Sequence, residues 1–342
     1  MISEITCGLV IYDEMNDIKR ILPLLQRELQ PIKTEWIFIL NHEEAEIRHW
    51  TKDWLTTEVE GCQVIENPSN NLGYARQLIL ENSRNNYIYM TDPDIELVPK
   101  SLMKLIRLAE TESVLDSNLK IIGFSGTLIH KSTITFLQET YDLIQWVAKK
   151  IPFSFQIQYH SHLESVDHVP SCHLLLKRDE ALQIGGFSPL FKKVGEDLDF
   201  THRAYNLDYR FVFLPTSLAY HNQNVTISKW LYKVFQFGKV QITVQKLNFS
   251  NGLRYYRLIP LLLLCLLIAG AVILQHYMLL AIFAVLLFSF VNLGVFGFFL
   301  TLLSYSVGEA AELIYPTLEL KSAEELQELK QALSEKVLKS SI

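Results

Sequence analysis

The sequence lacks the concentration of positive charge that is typical of nucleic-acid-binding proteins. Its 342 residues carry a formal net charge of −6, whereas such proteins present clustered Lys and Arg on one surface. It also lacks a visible internal repeat and a low-complexity linker. A nucleic acid is therefore not expected among its partners, and the length favours a catalytic domain plus an appendage.

Cysteine is scarce, and its distribution excludes two kinds of scaffold. The chain has four cysteines, Cys7, Cys62, Cys172 and Cys265. Their spacing matches no metal-binding motif, and Cys265 falls within an apolar run, so neither a cysteine metal centre nor a disulfide framework is expected.

A secretory signal peptide is not expected either, because Glu4, Asp13 and Glu14 interrupt any apolar N-terminal core. Basic residues instead collect before the first long apolar run, at Lys229, Lys233, Lys239, Lys246, Arg254 and Arg257. By the positive-inside tendency, we expect an integral membrane protein whose catalytic domain is cytoplasmic.

Two long uncharged runs lie near the C-terminus, at 258–274 and 277–307. Crossing a bilayer takes about 20 apolar residues. The first run therefore predicts one transmembrane helix, and the second predicts one long helix or a broken pair. Only Gln275 and His276 separate the runs, which predicts a tight transmembrane hairpin.

Strand and helix patterns alternate from Ile5 to Thr111. Short apolar runs predict strands and 3.6-residue periodicity predicts helices. The predicted strands are 5–12, 36–40, 62–65 and 87–91, and the predicted helices are 17–29, 72–82 and 99–111. This order predicts an α/β fold with a mixed, mostly parallel sheet and helices on both faces. Ligands bind beyond the carboxyl ends of such strands, where Asp13, Asn41 and Asp92 fall.

The second half is less regular. Strands are predicted at 121–128 and 169–176, but the stretch 131–165 between them has no clear pattern. Its aromatic residues either fill a core or line an acceptor groove. They are Phe136, Tyr141, Trp146, Phe153, Phe155 and Tyr159.

An acidic pair, Asp92 and Asp94, follows the last strand of the first half. A hard divalent cation is held in proteins by one or two carboxylates, with phosphates and water as its other ligands. Pro93 cannot donate to a strand ladder, so the strand is expected to end here. The pair indicates a metal-bound nucleotide, although Thr-Asp-Pro-Asp is also favourable turn chemistry.

A second acidic pair, Glu196 and Asp197, follows Gly195 at the predicted start of a helix. Helix capping alone accounts for acids at this position. The functional alternative is a general base, since a carboxylate within reach of an acceptor hydroxyl can take its proton. Asp197 is the candidate base, and Glu196 is its candidate acceptor-binding neighbour.

An ordered set of motifs is spread over residues 3–245. The motifs are Asn71-Leu72-Gly73-Tyr74-Ala75-Arg76, Tyr87-Ile88-Tyr89-Met90-Thr91-Asp92-Pro93-Asp94, Gly185-Gly186-Phe187, Gly195-Glu196-Asp197-Leu198-Asp199, Tyr209-Arg210 and Ala219-Tyr220-His221. As an ordered set, they resemble the family 2 glycosyltransferases. The resemblance implies a GT-A (Rossmann-like) fold, inversion at the anomeric carbon, and a nucleotide-sugar donor held through Mg²⁺ or Mn²⁺.

The resemblance also implies roles for individual residues. The implied donor-binding residues are Tyr12, Asp13, Glu14, Asn41, Gly73, Arg76 and Asp92; the implied metal ligands are Asp92, Asp94 and His221; the implied catalytic residues are Asp197 and Glu196. Two positions depart from the family pattern. Many members have an aspartate where this chain has Asn41, and Gln77 replaces the asparagine that usually follows the arginine.

The predicted organisation has four parts: a GT-A catalytic domain at 1–225, an interfacial amphipathic segment at 226–257, two or three transmembrane helices at 258–307, and a cytoplasmic helical tail at 308–342. Aromatic and basic residues around Trp230 suit either a headgroup-layer anchor or an acceptor site. The tail has an apolar stripe at Leu326, Leu329, Leu333 and Val337, which favours packing within the chain. The alternatives are contact with the membrane and pairing with a second subunit in a homo-oligomer.

The predicted function is a membrane-anchored inverting glycosyltransferase (EC 2.4) of cell-envelope polysaccharide biosynthesis. It would move a sugar from a nucleotide-diphosphate sugar to a lipid-linked or glycan acceptor at the cytoplasmic face. One alternative is a catalytically silent membrane scaffold. Another is a sugar-nucleotide pyrophosphorylase, which would need neither the second acidic pair nor membrane spans.

Overall fold

The structure, a computed structural model, describes residues 2–111, 119–150, 163–166, 168–248, 262, 265–266 and 293–314. These residues belong to two compact units. We call Met1–Ile129 with His160–Asn222 the N-terminal unit, and His130–Tyr159 with Gln223–Ile342 the C-terminal unit. Residues 130–159 thus group with the C-terminal unit, although they fall inside the range assigned above to the catalytic domain.

The described strands and helices alternate as the sequence indicates. The strands are β1 (Glu4–Ile11), β2 (Lys33–Leu40), β3 (Gln63–Glu66), β4 (Tyr87–Thr91), β5 (Ile95–Leu97), β6 (Lys120–Lys131), β7 (Glu164–Val166), β8 (His173–Lys177) and β9 (Tyr209–Asn222). The helices are α1 (Met15–Leu29), α2 (Ala45–Glu58), α3 (Leu72–Asn82), α4 (Ser101–Glu110), α5 (Thr135–Lys150), α6 (Arg178–Gln183), α7 (Glu196–Asn206), α8 (Ile227–Leu247) and α9 (Leu293–Ile314).

A mixed sheet forms the centre of the N-terminal unit, in the order β3-β2-β1-β4-β8-β6-β9-β5, with β7 pairing to β9. The pairs β3–β2, β2–β1 and β1–β4 are parallel. Strand β8 runs antiparallel to both β4 and β6. The predicted α/β fold with a parallel sheet centre is therefore confirmed.

Each face of this sheet is covered by its own apolar core. Helices α1, α2 and α4 pack on one face, while α3, α6 and α7 pack on the other. The predicted apolar stripe of α1 is buried on the first face, at Ile18, Ile21, Leu22, Leu25 and Leu29. Because both faces are covered, the carboxyl ends of the parallel strands form an exposed edge between two helical layers.

In the C-terminal unit, α9 packs against α5 and α8. Ser304 Oγ donates to the Leu231 carbonyl (2.7 Å), and a Cβ added at Gly308 would lie 2.0 Å from the Phe235 carbonyl oxygen. The Lys239 ammonium lies 3.8 Å from the Glu312 carboxylate. Contacts therefore advance in the same direction along both helices, so α8 and α9 run parallel and in close backbone contact.

The irregular stretch between the predicted strands contains α5, and two of its aromatic residues have different environments. Tyr141 is fully buried with its ring edge-on to Trp230 at 5.0 Å, so it fills a core. Trp146 is 59% exposed. Phe153, Phe155 and Tyr159 lie outside the described residues.

Helix α9 has an inverted distribution of polarity. Its described buried residues are all glycine or polar: Gly294, Gly297, Thr301, Ser306, Gly308, Glu309 and Glu312. Its exposed residues are all apolar: Phe299, Leu303, Val307, Leu313 and Ile314. A helix on the core of a water-soluble protein has the opposite arrangement.

Within the described chain, one helical stretch, Gly297–Ile314, has the length and composition to cross a membrane. The predicted transmembrane hairpin is not confirmed, because most of its first helix lies outside the described residues. Three positions of that run are described as helical, and all three, Leu262, Cys265 and Leu266, are exposed. The predicted tail at 308–342 begins inside α9, which continues to Ile314, and its remaining residues, 315–342, lie outside the described residues.

Candidate active site

The ends of β1, β2 and β4 bring the first set of predicted residues to one edge of the sheet. Tyr12 follows β1, Asn41 follows β2, and Asp92 follows β4. The three strands are parallel neighbours, so the residues after them emerge side by side. The structure thus brings these predicted donor-site positions together.

Arg76 lies at the centre of the site and contacts both acidic pairs. Its Nη2 donates to both carboxylate oxygens of Asp92, each at 3.1 Å. Its Nε donates to Glu196 Oε1 at 3.0 Å. The Arg76 side chain is only 4% exposed. Burial by itself lowers the pKa of the guanidinium, but Asp92 and Glu196 raise it above its usual value, so Arg76 is a permanent cation here.

The start of α3 fixes where Arg76 lies. The side chain of Asn71 caps the helix by accepting from the Tyr74 amide (3.0 Å), as N-cap asparagines do. The amides of Leu72 and Gly73 donate to the carbonyls of Lys192 and Phe191. This end of the helix is therefore held by the loop that precedes α7.

Gly73 allows the start of α3 to pack closely against the loop that precedes α7. A Cβ at this position would lie 2.1 Å from the Ser188 carbonyl oxygen, which only glycine avoids. Because the Gly73 amide is already donated to Phe191, its contacts in this structure are with the protein itself. Its role in donor binding stays a prediction.

The two acids that begin α7 have different environments. Glu196 is 3% exposed, and it accepts from Ser171 Oγ at 3.3 Å as well as from Arg76. Burial, and then the charge of Asp197, raises the pKa of Glu196 to about 7. Asp197 is half-buried, and its Oδ1 accepts from the Leu198 amide at 2.7 Å. Of the two carboxylates, Asp197 is therefore the more accessible to a substrate.

Asp94 and His221 come together from distant parts of the chain. His221 Nε2 lies 3.0 Å from Asp94 Oδ2, and the Asn222 amide donates to the Asp94 carbonyl at 2.9 Å. Strand β5, directly after Asp94, pairs with the part of β9 that carries His221. The predicted metal ligands Asp94 and His221 are thus in contact.

These residues fit a cation that takes most of its ligands from phosphate and water. Among the described residues, no group of three or more His, Cys, Asp or Glu side chains is arranged to hold a metal. Asp94 and His221 supply one oxygen and one nitrogen, and Asp92, the third predicted ligand, is engaged by Arg76. Such a partial ligand set is typical of Mg²⁺ sites completed by a nucleotide.

The segment after β1 contributes a half-buried acid, Glu14. Glu14 Oε2 accepts from the Tyr12 amide at 2.8 Å, and burial, with a smaller effect of Asp13 and Asp94, raises the pKa of Glu14 to about 7. Asp13 itself is exposed. Asn41 is fully buried, and its Oδ1 accepts from Asn67 Nδ2 at 2.7 Å.

No sequence signal identifies Ser171 or His173; His173 on β8 pairs with Thr91, the last residue of β4. His173 is fully buried; its Nδ1 lies 2.8 Å from Tyr89 Oη and its Nε2 lies 3.0 Å from Ser217 Oγ. Ser217 donates its hydroxyl proton to the Ser101 carbonyl, so we assign the proton of the imidazole to Nε2. Burial lowers the pKa of His173 to about 4.

Comparison with known proteins agrees with this geometry. The model of glycosyl transferase family 2 matches residues 7–179, which is half of the chain. The chain therefore belongs to glycosyl transferase family 2 and is a glycosyltransferase. The match includes Arg76, Asp92 and Asp94, while Glu196, Asp197 and His221 lie beyond it.

Among solved structures, the chain is similar to a mannosyltransferase, PcManGT from Pyrobaculum calidifontis, solved in complex with GDP-Man and Mn²⁺. The two share 14% identity with a TM-score of 0.61, over 92% of this chain and 88% of the other. This likeness confirms the GT-A fold. A weaker similarity, with 10% identity and a TM-score of 0.47, links 69% of this chain to 48% of GalNAc-T7, solved with UDP, GalNAc and Mn²⁺. A search of curated proteins found no match.

Proposed function

We propose that this chain is a membrane-anchored inverting glycosyltransferase that moves a sugar from a nucleoside diphosphate sugar to a hydroxyl of a lipid-linked or glycan acceptor at the cytoplasmic face. The observation that carries the proposal is the cluster around Arg76, which connects Asp92 at the end of β4 with Glu196 at the start of α7. It supports a donor site close to Asp197, the predicted base.

In the proposed reaction, Asp197 accepts the proton of the acceptor hydroxyl. The acceptor oxygen forms a bond to the anomeric carbon on the face opposite the leaving group. The bond from that carbon to the diphosphate oxygen breaks, and its electron pair leaves with the nucleoside diphosphate. Because one displacement occurs, the configuration of the sugar inverts.

Negative charge that develops on the diphosphate needs preorganised donors. Among the described residues, Arg76 Nη1 is buried and has no hydrogen-bond partner. Because its guanidinium is enclosed, Arg76 would act on the diphosphate through its permanent positive charge. Asp94 and His221 would hold Mg²⁺ or Mn²⁺, with Asp92 as a further ligand. When bound, such a cation neutralises diphosphate charge. PcManGT was solved with GDP-Man and Mn²⁺, which makes this pair the first to test.

The proposed membrane anchor is supported by the inverted polarity of α9. In lipid, apolar side chains face outward, and small residues let helices approach closely. Helix α9 exposes Phe299, Leu303 and Val307, each by 44% or more, and approaches α8 closely at Gly308. Fully buried acids such as Glu309 are expected in membrane helices only where they face the protein interior.

The cytoplasmic orientation rests on the basic residues that precede the apolar runs. Two of them contact α9, because Lys239 lies 3.8 Å from the Glu312 carboxylate and Lys246 donates to the Glu312 carbonyl. The cytoplasmic orientation is therefore argued from the other four basic residues, Lys229, Lys233, Arg254 and Arg257.

The proposal is tested with detergent-purified protein, membrane lipid extract, Mn²⁺ and a panel of UDP- and GDP-sugars labelled in the sugar. We expect one donor to release its nucleoside diphosphate and to label the lipid or glycan fraction, and EDTA to abolish both. Release without any labelled acceptor would identify hydrolysis instead of transfer. No release from any donor by folded protein would contradict the proposal and favour the silent scaffold.

A further inference from the structure

Glu196 is placed to hold another residue rather than to touch a substrate. Its side chain is 4% exposed, and its Oε1 accepts from both Arg76 Nε and Ser171 Oγ. A carboxylate so enclosed does not present itself to an acceptor hydroxyl in the cleft. Asp197, the next residue in the same helical turn, is only half-buried.

The partner of Glu196 is itself firmly anchored. Arg76 lies on α3, whose first turn is capped by Asn71 and held by the loop before α7. From there the planar guanidinium donates through Nε to Glu196 and through Nη2 to Asp92. The N–H groups of a guanidinium have a fixed geometry, so Arg76 sets the distance between the two carboxylates. The ammonium group of a lysine would not fix this distance.

We infer that Glu196 is a positioning residue, through which Arg76 holds the first turn of α7, and with it the Asp197 carboxylate, in register with Asp92 and the bound donor. The inference rests on the proposed function, because it assigns Asp197 as the base that needs positioning. It replaces the acceptor-binding role that the sequence suggested for Glu196.

The helix supplies a matched control. Asp199 is as deeply buried as Glu196, at 2% against 3% exposure, and it also accepts from an arginine, Arg203 Nε, at 2.9 Å. Arg203 ties α7 to the carbonyls of Ile184 and Gly186. Removal of the Asp199 carboxylate therefore breaks a similar buried ion pair on the same helix, at a contact away from Asp92.

The experiment compares Glu196→Ala, Glu196→Gln and Asp199→Ala by steady-state transfer and by donor binding. Because small displacements of a reacting group cost about 100-fold in rate, we expect Glu196→Ala to lower kcat by about that factor. Its donor Kd and acceptor KM should stay within about threefold. Glu196→Gln keeps an oxygen that accepts from Arg76 Nε, and a weakened hydrogen bond of roughly 1 kcal/mol predicts only about a fivefold loss.

Two results would overturn the inference. A rise in acceptor KM in Glu196→Gln, at unchanged kcat, would show that the carboxylate binds the acceptor. An equal loss of kcat per folded molecule in Asp199→Ala would show general destabilisation of α7.

A readout independent of activity separates this inference from the proposed function. Hydrogen exchange of the backbone amides in the first turn of α7 should accelerate at least about tenfold in Glu196→Ala, and less in Asp199→Ala, if Arg76 anchors that turn. Unchanged exchange would contradict the positioning role even if the wild-type protein transfers no sugar. If exchange accelerates in Glu196→Ala as expected but the wild-type protein transfers no sugar, the result counts against the proposed function and not against the positioning role.

Discussion

Arg76 Nε donates to Glu196 Oε1 at 3.0 Å, across a sequence separation of 120 residues. This bond joins the two acidic clusters of the chain through one buried cation. It connects the end of β4, where the donor is proposed to bind, with the helix that carries the proposed base. The predictions below follow from this connection and from the packing that supports it.

The first prediction concerns the pH dependence of transfer. Burial and Asp197 raise the pKa of Glu196 to about 7, so this carboxyl becomes neutral as the pH falls through 7. Protonation weakens its charge-assisted bond with Arg76, and a loss of roughly 1 kcal/mol lowers kcat about fivefold. We expect kcat to fall by this factor between pH 8 and 6. The fall should be absent in Glu196→Gln; its persistence there would assign it to another group, such as Glu14.

The second prediction concerns the metal. His221 lies 3.0 Å from Asp94. Loss of even an outer-shell partner of a metal ligand typically weakens metal affinity by about 10- to 100-fold, so loss of a ligand should cost at least as much. His221→Ala should therefore raise the Mn²⁺ concentration that half-saturates donor binding, as measured by calorimetry. His49→Ala is the control, because His49 is 78% exposed and pairs only with Asp53 in the described structure. Equal Mn²⁺ dependence in both variants would remove His221 from the metal site.

The third prediction concerns His173 and stability. Its pKa is lowered from 6.5 to about 4 by burial, so the unfolded chain binds a proton that the folded chain excludes between these values. Stability is therefore present above pH 6.5 and is lost as the pH falls towards 4, by about 3 kcal/mol. Thermal unfolding at a series of pH values should show this loss. A His173→Gln variant should be less stable at pH 7 but should lack this part of the acid slope.

The fourth prediction concerns the contact between α8 and α9. A Cβ at Gly308 would lie 2.0 Å from the Phe235 carbonyl oxygen, so any side chain forces the helices apart. We expect Gly308→Val to lower the unfolding temperature in detergent, with a cost of about 1–3 kcal/mol typical of overpacking. Leu303→Ala is the comparison, since Leu303 is 46% exposed. Similar melting of Gly308→Val and wild type would contradict the close packing.

Helix-capping and strand-ending residues made part of the fold predictable from the sequence. The bounds of α3 and β4 agree with prediction, because Asn71 caps the helix and Asp92-Pro93 ends the strand. Both acidic pairs could be recognised because carboxylates at strand ends and helix starts have few common uses. Arg76, which joins the two pairs, was predicted as a donor-binding residue, but its contacts with Asp92 and Glu196 were not predicted.

The remaining features depend on contacts that short patterns do not record. Nothing near Asp94 in sequence indicates that His221 will lie against it, since β5 and β9 must pair first. The contrast between Glu196 and Asp197 needs the positions of Arg76 and Ser171. The part of α9 up to Val307 belongs to an uncharged run that is visible in the sequence, but which side of the helix faces the protein depends on its contacts with α5 and α8.

The central claim is that Asp197 takes the proton of the acceptor during sugar transfer. The most direct measurement is single-turnover transfer of labelled sugar by Asp197→Asn, with Asp179→Asn as the control for an exposed aspartate on α6. Loss of a general base costs about 100- to 10,000-fold, so Asp197→Asn should lose transfer by that factor and keep donor affinity, while Asp179→Asn behaves as wild type. Transfer by Asp197→Asn within about threefold of the wild-type rate would contradict the account.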